Sequence, residues 1–535
     1  MPLIATIKTL LTTVADVFTQ EYAAQQTLIR NFLTHADNAR IRVFVADSSG
    51  MGHQATTVLI MNRLIALGFN QNFDVVYDNT TGATAGKLKR LIPGFNPNGT
   101  GNPQDVVINA NTTASMIPLA YFKTKIADYP LVNFGITGGF DTNTTNLANT
   151  PGATDTSIGV KVNFFLKLQP FQWNKQNAIQ RPGQIASAFI RLEQVAALGT
   201  ASFIKRGFYV PPPVAPSQAS FGDDTKYAAY QLIIGACTGG GANVNLMPVY
   251  GIGDDGGVVE ANPAIRPENV LFYLIAAIRY AQRFSEVARL QRGAIIVVIA
   301  TVTDTPYATL NTLLKGIADG ARNTAIDNLN QFVTDVGIVA GTITANNVEI
   351  INYSGGDATW LAAKIAALQG GGGGNKILVI KMAGLPMGAF DYMYASSSLP
   401  CLLEGKGTAN LVLNLNKPYF NLLKDANVVY PTLPLAAAEN SAAAVQCNSA
   451  VLDFKDSAAA TNTKLTATVV LDPASAGLQT TAMYKLAIVT KDAYTDGNAL
   501  KTYFAGLQTF FQNQQEDKLF LSLLYFLSYV NSLEG

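Results

Sequence analysis

The sequence predicts an α/β protein built on two doubly wound, largely parallel sheets, with extra strands and helices towards its C-terminal end. Three observations carry this. Strand-like apolar runs alternate with stretches of helical periodicity along both halves of the chain. Two of those runs, Ile41–Val45 and Ala294–Val302, are apolar on both faces, as central parallel strands are. Glycine turns follow strands at two distant places, Ser48–Gly52 and Glu404–Thr408, and each opens onto a helix. Such turns aim free backbone N–H groups and a positive helix end at one point, which suits an anion.

At 535 residues the chain exceeds one ordinary core, so two domains plus appendages are expected. Shifts in pattern place them at 1–268, with a helical start and loop insertions, and at 269–495. Residues 496–535 form terminal helices suited to crossing back to the first domain. Charged residues make up 14% and net charge is +1, which leaves no electrostatic footprint for nucleic acid. Cys237, Cys401 and Cys447 are odd in number and far apart, so they read as reduced, buried thiols rather than disulfides or zinc ligands. The longest apolar runs, Val270–Ile278 and Leu519–Val530, fall short of the ~20 residues a bilayer span needs. No secretory signal is read at the start, so a cytoplasmic location is expected, with export by a dedicated machine left open.

In chain order, residues 2–33 carry the spacing of one or two amphipathic helices. After the first strand, Ser48, Ser49, Gly50 and Gly52 break the pattern, and Val58, Met61 and Ile65 then share one helical face. Phe73–Tyr77, Asp105–Asn109 and Leu131–Thr137 predict strands with helical stretches between them. Gly138, Gly139 and Asp141 close the last of these in a turn. Val160–Lys167 alternates as a strand, and Ile185–Leu198 reads as a helix among loops. Tyr230–Ala236 and Asn245–Tyr250 predict further strands. Asp254 and Asp255 follow in a Gly-rich stretch that reads as a solvated turn, with a cation or substrate contact as its alternative.

Val270–Arg292 reads as one long helix. The second block alternates strand Ala294–Val302, helix Tyr307–Val336, strand Val348–Asn352, helix Asp357–Leu368 and strand Ile377–Met382. Gly370–Gly374 lacks the Lys-Ser/Thr of a phosphate loop and reads as a connection. A short helix, Met387–Ala395, precedes strand Leu399–Leu403, the Glu404–Thr408 turn and a helix starting near Ala409. Lys417-Pro418 leads into another strand. Beyond Pro431, Leu465–Leu471 and Tyr484–Thr490 predict strands, and Asp496–Val530 two helices. The last helix is apolar nearly all round, which predicts burial in an interdomain seam or in a contact between copies.

The two glycine-turn stretches together resemble glycosyltransferases of the GT-B fold. Gly50-Met51-Gly52-His53 is similar to the Gly-x-Gly-His loop of their N-terminal domain. Ser396–Phe420 follows the order of their C-terminal domain: strand, Gly-rich turn, helix, then Pro before a strand. The resemblance implies two Rossmann-like domains facing across a cleft. It implies metal-independent transfer of a sugar from a nucleotide-diphosphate donor to an acceptor, with no cofactor. Donor contacts would come from Gly384, Glu404, Gly405, Lys406, Gly407, Thr408 and Asn410. Ser49, Gly50, Gly52 and Tyr250 would line the acceptor side, and His53 or Asp141 would take the acceptor proton. Asn410 stands where the family carries a Glu on the ribose, and Asn416 where it has Gly.

Two other readings stand beside this one. Gly50–Ala55 also fits the dinucleotide fingerprint Gly-x-Gly-x-x-Ala, with Asp78 ending the next strand, which implies an NAD-dependent oxidoreductase. The low charge and the Asn at 410 also suit a scaffold kept for binding, structure or self-assembly.

Overall fold

The computed structural model describes residues 2–14, 16–48, 51–99, 101–138, 147, 159–168, 178–181, 190–191, 207–239, 243–252, 266–299, 302–318, 348–352, 358–369, 376–422, 430, 442–451 and 482–533. The chain divides into two compact units, 1–210 with 511–535, and 211–510.

The first unit starts with α1 (Pro2–Leu11) and α2 (Tyr22–Thr34). A βαβ unit follows: β1 (Arg40–Val45), α3 (Gly52–Ala66) and β2 (Asn72–Tyr77). Then come α4 (Thr84–Leu91), β3 (Gln104–Asn109), β4 (Thr112–Pro118), α5 (Leu119–Thr124) and β5 (Val132–Gly138). β6 (Val162–Leu168), β7 (Ala178–Gln180) and β8 (Ile190–Arg191) complete the sheet. Its order is β3-β4-β2-β1-β5-β6-β7-β8. The five central strands, β4 to β6, are parallel, and antiparallel strands flank them. Ile41, Val43, Phe44 and Val45 are all fully buried, as a strand covered on both faces requires. The stretch after Asn109, expected to be helical, instead turns back as β4. The side chain of Asn109 accepts from the Asn111 N–H at 2.9 Å and closes that hairpin.

Arg42 is the polar exception in this apolar strand, and it is fully buried. Its guanidinium donates to Asp74 Oδ2 from Nη2 at 2.6 Å and from Nε at 3.2 Å. Nη1 donates to the carbonyls of Val160, Pro130 and Lys161 at 3.0, 3.2 and 3.2 Å. Phe122 and Tyr129 present ring faces 5.2 and 5.9 Å away. One side chain thus ties β1 to β2 and to the segments entering β5 and β6. Burial lowers the affinity of Arg42 for its proton, and Asp74 opposes that.

The second unit contains α6 (Asp224–Cys237), β9 (Val244–Val249), α7 (Pro267–Phe284), β10 (Gly293–Val298) and α8 (Asp304–Ala318). β11 (Val348–Asn352), α9 (Ala358–Gln369), β12 (Ile377–Lys381) and α10 (Met387–Ala395) come next. β13 (Cys401–Leu403), α11 (Lys406–Asn414), β14 (Tyr419–Asn421), α12 (Ala482–Asp492) and α13 (Ala499–Phe511) follow. The sheet order is β11-β12-β10-β9-β13-β14, and every pairing is parallel. The boundary expected at 268/269 therefore falls at 210/211, because β9 pairs with β10 and β13 in this second sheet.

Three expectations change here. Tyr230–Ala236 is helix, not strand: Asp223 Oδ1 accepts from the Lys226 N–H at 3.0 Å and starts α6 upstream of the apolar run. Tyr484–Thr490 is also helix, α12, and it packs on α7, where Tyr484 meets Tyr280 edge-on at 5.7 Å. α7 itself stops at Phe284, where Ser285 turns to extended backbone. Most of Ile185–Leu198, the Gly370–Gly374 tract and Leu465–Leu471 lie outside the described residues.

The last helix, α14 (Lys518–Asn531), belongs to the first unit. Phe526 sits 4.9 Å from Phe134, 5.6 Å from Phe164 and 5.8 Å from Phe32, so its apolar surface covers β5 and β6. α1 and α2 also pack against it, so its apolar surface is buried within the first unit. Asp517 anchors its start: Arg63 Nε donates to Oδ2 at 2.8 Å and the Tyr209 N–H to Oδ1 at 2.9 Å. Among the described residues no helix is long and apolar enough to cross a membrane. Cys237, Cys401 and Cys447 are buried free thiols, and burial pushes Cys401 up to about 11.

Candidate functional site

Open parallel sheets leave a crevice at the carboxyl ends of two neighbouring strands whose connections depart in opposite directions. Each unit has such a switch point. In the first it lies between β1 and β5, and in the second between β9 and β13.

At the first switch point the loop after β1 is tied down on both sides. Gln54 Nε2 donates to the Ala46 carbonyl at 3.0 Å. The Asp47 carboxylate accepts from the Thr81 N–H at 2.6 Å, the Thr84 hydroxyl at 2.8 Å and the Thr81 hydroxyl at 2.9 Å. Partial burial works against the Asp47 charge, but these bonds and nearby Lys87 outweigh it and hold the carboxyl below its usual range. Lys87 Nζ donates to the Ser48 carbonyl. This Asp47 cluster was not expected; Asp47 is legible as an acid ending β1, but its partners are 34 and 37 residues away.

α3 starts at Gly52 with Met51 as its N-cap, and half-buried His53 lies in its first turn. The His53 carbonyl accepts from Thr57 Oγ1 at 2.9 Å, and the same hydroxyl reaches the Gly138 carbonyl at 3.4 Å. His53 is thereby set beside the end of β5. A Cβ on Gly138 would lie 2.5 Å from Thr56 Cγ2, so α3 crosses β5 only because position 138 is glycine. Ser49, Gly50, Asp141, Asp254 and Asp255 lie outside the described residues. Asp78, offered to a ribose in the dinucleotide reading, closes an Asx turn instead: it accepts from Thr80 N at 3.1 Å and Thr80 Oγ1 at 2.6 Å.

At the second switch point two turns meet. The Tyr250 N–H donates to the Leu402 carbonyl at 3.1 Å and extends the pairing of β9 with β13. Gly251 then adopts φ +93°, and a Cβ built there would sit 2.2 Å from Glu404 Cβ. Gly405 is the N-cap of α11, and its carbonyl accepts from the Ala409 N–H at 2.9 Å. The helix begins at Lys406 rather than near Ala409, so Lys406, Gly407 and Thr408 form its first turn, half-buried, with N–H groups that have no partner within the helix. Gly405 differs from Gly251. A Cβ there would meet only Thr408 Oγ1 at 3.7 Å and Tyr250 Cε1 at 4.0 Å. Its own φ of −93° suits any residue, so packing does not demand glycine.

Tyr250, expected on the acceptor side, therefore sits in the second unit beside Glu404 and Gly405, because β9 belongs to that sheet. Burial, reinforced by the Glu404 carboxylate, pushes its phenol up to about 12, so it is a neutral hydrogen-bond donor at neutral pH. Asn410 is fully buried on the inward face of α11, and its carbonyl accepts from Asn414 Nδ2 at 2.8 Å. It is not open to a ribose. Gly384 follows β12, two strands from β9, and its carbonyl accepts from Lys226 Nζ. Gly251 was missed by the sequence reading; a glycine directly after a strand was its signal. Among the described residues no group of three or more His, Cys, Asp or Glu side chains is placed to hold a metal ion.

No protein-family model and no curated protein matches this chain. Solved structures do. One is the crystal structure of the glycosyl transferase family 9 from Veillonella parvula, at 11% identity and TM-score 0.29, covering 71% of this chain and 79% of that chain. Another, from E. coli, is described as trehalose-6-phosphate bound with UDP-2-fluoro glucose. It matches at 8% identity and TM-score 0.32, covering 92% of this chain and 99% of that chain. Neither likeness assigns a role to any residue of this chain.

Proposed function

We propose that this protein transfers a sugar from a nucleoside-diphosphate donor to an acceptor, with the donor held at the β9/β13 switch point. The observation that carries the reading is the meeting of the Tyr250-Gly251 and Glu404-Gly405 turns at the start of α11. A diphosphate placed there would accept from the first-turn N–H groups of α11 and lie at the positive end of its dipole. Lys406 adds a counter-charge, and the lack of a side chain at Gly405 lets the backbone be approached closely. The leaving diphosphate would then be stabilised without a metal.

Ser49, Gly50 and Gly52 are the acceptor contacts of this proposal. His53 would take the acceptor proton, with Asp141 as the alternative base. Asn410 has no ligand contact in this proposal; it supports α11 from within.

Calorimetry of the full chain with a panel of nucleoside diphosphates tests the donor site, and at least one should bind. Binding to none would leave the scaffold reading in its place. Gly405→Ala should weaken that binding while changing stability by no more than about 1 kcal/mol, since only an N-cap is altered. His53→Ala should slow turnover by about 10²–10⁴-fold, the usual contribution of a positioned base, with nucleotide affinity nearly unchanged. If His53→Ala weakens nucleotide binding as much as Gly405→Ala does, the division of roles is wrong.

A further inference from the structure

α6 and α9 pack side by side on the second sheet. Each leads into a strand of that parallel sheet, so the two run in the same direction. Between them lies a surface groove of about 800 Å³, walled by Ala228, Gln231 and Gly235 of α6 and by Ala358, Ala362 and Ile365 of α9. Gly235 stands inside α6, where glycine costs helix stability relative to alanine. Its own surroundings do not require it: a Cβ there would meet nothing within 4 Å. The described residues leave the groove unfilled at that point.

The opposite flank of α9 is exposed and apolar. The helix reads ATWLAAKIAALQ, with one charge in twelve residues. Leu361, Ile365 and Leu368 face inward and are buried. Ala363, Ala366 and Ala367 are exposed, and so is Trp360, at 44%. The one charge, Lys364, lies 5.6 Å over the Trp360 ring. Surface helices carry charged and polar residues on their outer side, and a helix apolar on every side is normally covered. Exposed apolar patches mark contact surfaces, and tryptophan is enriched at the centres of such contacts. At about 100° per residue, Trp360, Lys364 and Ala367 share one flank of α9, while Ala358, Ala362 and Ile365 share the groove flank.

We propose that this face joins two copies of the chain about a two-fold axis running along α9. Such an axis sets the Trp360 flank of each copy against the groove flank of the other. Trp360 then enters the other copy's groove near Ala228, and Ala367 lies over Gly235. A two-fold contact needs a surface complementary to itself. This one carries a knob and a hole on opposite flanks of a single helix. Charge points the same way: Asp224 is the one charged residue lining the groove and Lys364 the one charge on α9, so apposition brings opposite signs together. Two helices of this length offer on the order of 1,000 Å² of buried surface over both copies, the lower end of specific interfaces. The dimer is therefore reversible, and it is independent of the donor site.

Sedimentation velocity of the full chain from about 1 to 100 μM tests this, over the range in which so small an interface assembles. Wild type should pass from monomer to dimer. Trp360→Ser should weaken the dimer about tenfold or more, as truncation of a central tryptophan does. Its melting temperature should stay within about 2 °C of wild type, because the side chain is exposed. Gly235→Leu should fill the groove, favour α6 and weaken the dimer by a similar factor. A mixture of the two variants should dimerise better than either alone, since Trp360 of the Gly235→Leu chain still meets an unfilled groove in the Trp360→Ser chain. Non-specific apolar association would not give that recovery. A chain that stays monomeric at 100 μM overturns the proposal and leaves the groove to a different protein or a small molecule. A dimer that neither substitution weakens overturns it too, because the copies then meet elsewhere.

Discussion

Gly251→Ala should destabilise the second unit by about 3 kcal/mol or more and abolish nucleoside-diphosphate binding, whereas Gly405→Ala should spare the fold. Two costs combine at Gly251. Its φ of +93° lies outside the range an L-residue adopts readily, at roughly 1–2 kcal/mol. In addition, a Cβ would lie 2.2 Å from Glu404 Cβ and 3.0 Å from the Glu404 nitrogen, so backbone as well as side chain must move. The displaced segment is the one that leads into Gly405 and the start of α11, so the proposed donor site would be lost with the packing. For a unit of this size the melting transition should fall by roughly 5–10 °C. Differential scanning calorimetry of both variants against wild type measures it. A wild-type transition for Gly251→Ala would show that the two turns do not meet as described.

The sequence was informative where one physical signal dominated. Ile41–Val45 and Ala294–Val298 are apolar on both faces, and each proved to be an interior strand of a parallel sheet. It misled where an apolar run fits two periods. Tyr230–Ala236 and Tyr484–Thr490 are short and β-branched or aromatic, yet both lie within longer helices. In the first, the decisive signal was Asp223, seven residues upstream and outside the window that reads as strand. Site residues divided the same way. The turn at Glu404–Thr408 was legible from its glycines, because a helix start after a strand is a local feature. The contact of Gly251 with Glu404 was not, since it joins residues 153 positions apart through the pairing of β9 with β13. Tyr250 was read into the first domain but lies in the second unit for the same reason: local pattern reveals a strand but not which sheet receives it.

Arg42→Met should destabilise the first unit by about 3–5 kcal/mol, the usual consequence of removing one partner of a buried ion pair. The loss has two parts. Asp74, itself shielded, keeps only Arg40, whose side chain is 40% exposed and so offers a weaker, solvent-screened partner. The carbonyls of Pro130, Val160 and Lys161 lose a shared donor at the edge where β5 and β6 begin. Methionine fills much of the space between Phe122 and Tyr129 but donates to none of them. Adding Asp74→Leu should therefore recover part of the loss, because no charge is then left buried alone, but not all of it, because the Pro130 and Val160 carbonyls still lack that donor and the Lys161 carbonyl keeps only the Val132 N–H. The double variant should fall short of the sum of the singles by about 1 kcal/mol or more, measured by urea denaturation of the full chain. Simple additivity would mean that Arg42 and Asp74 stabilise the sheet independently. Arg42 would then be a carbonyl clamp whose charge is incidental.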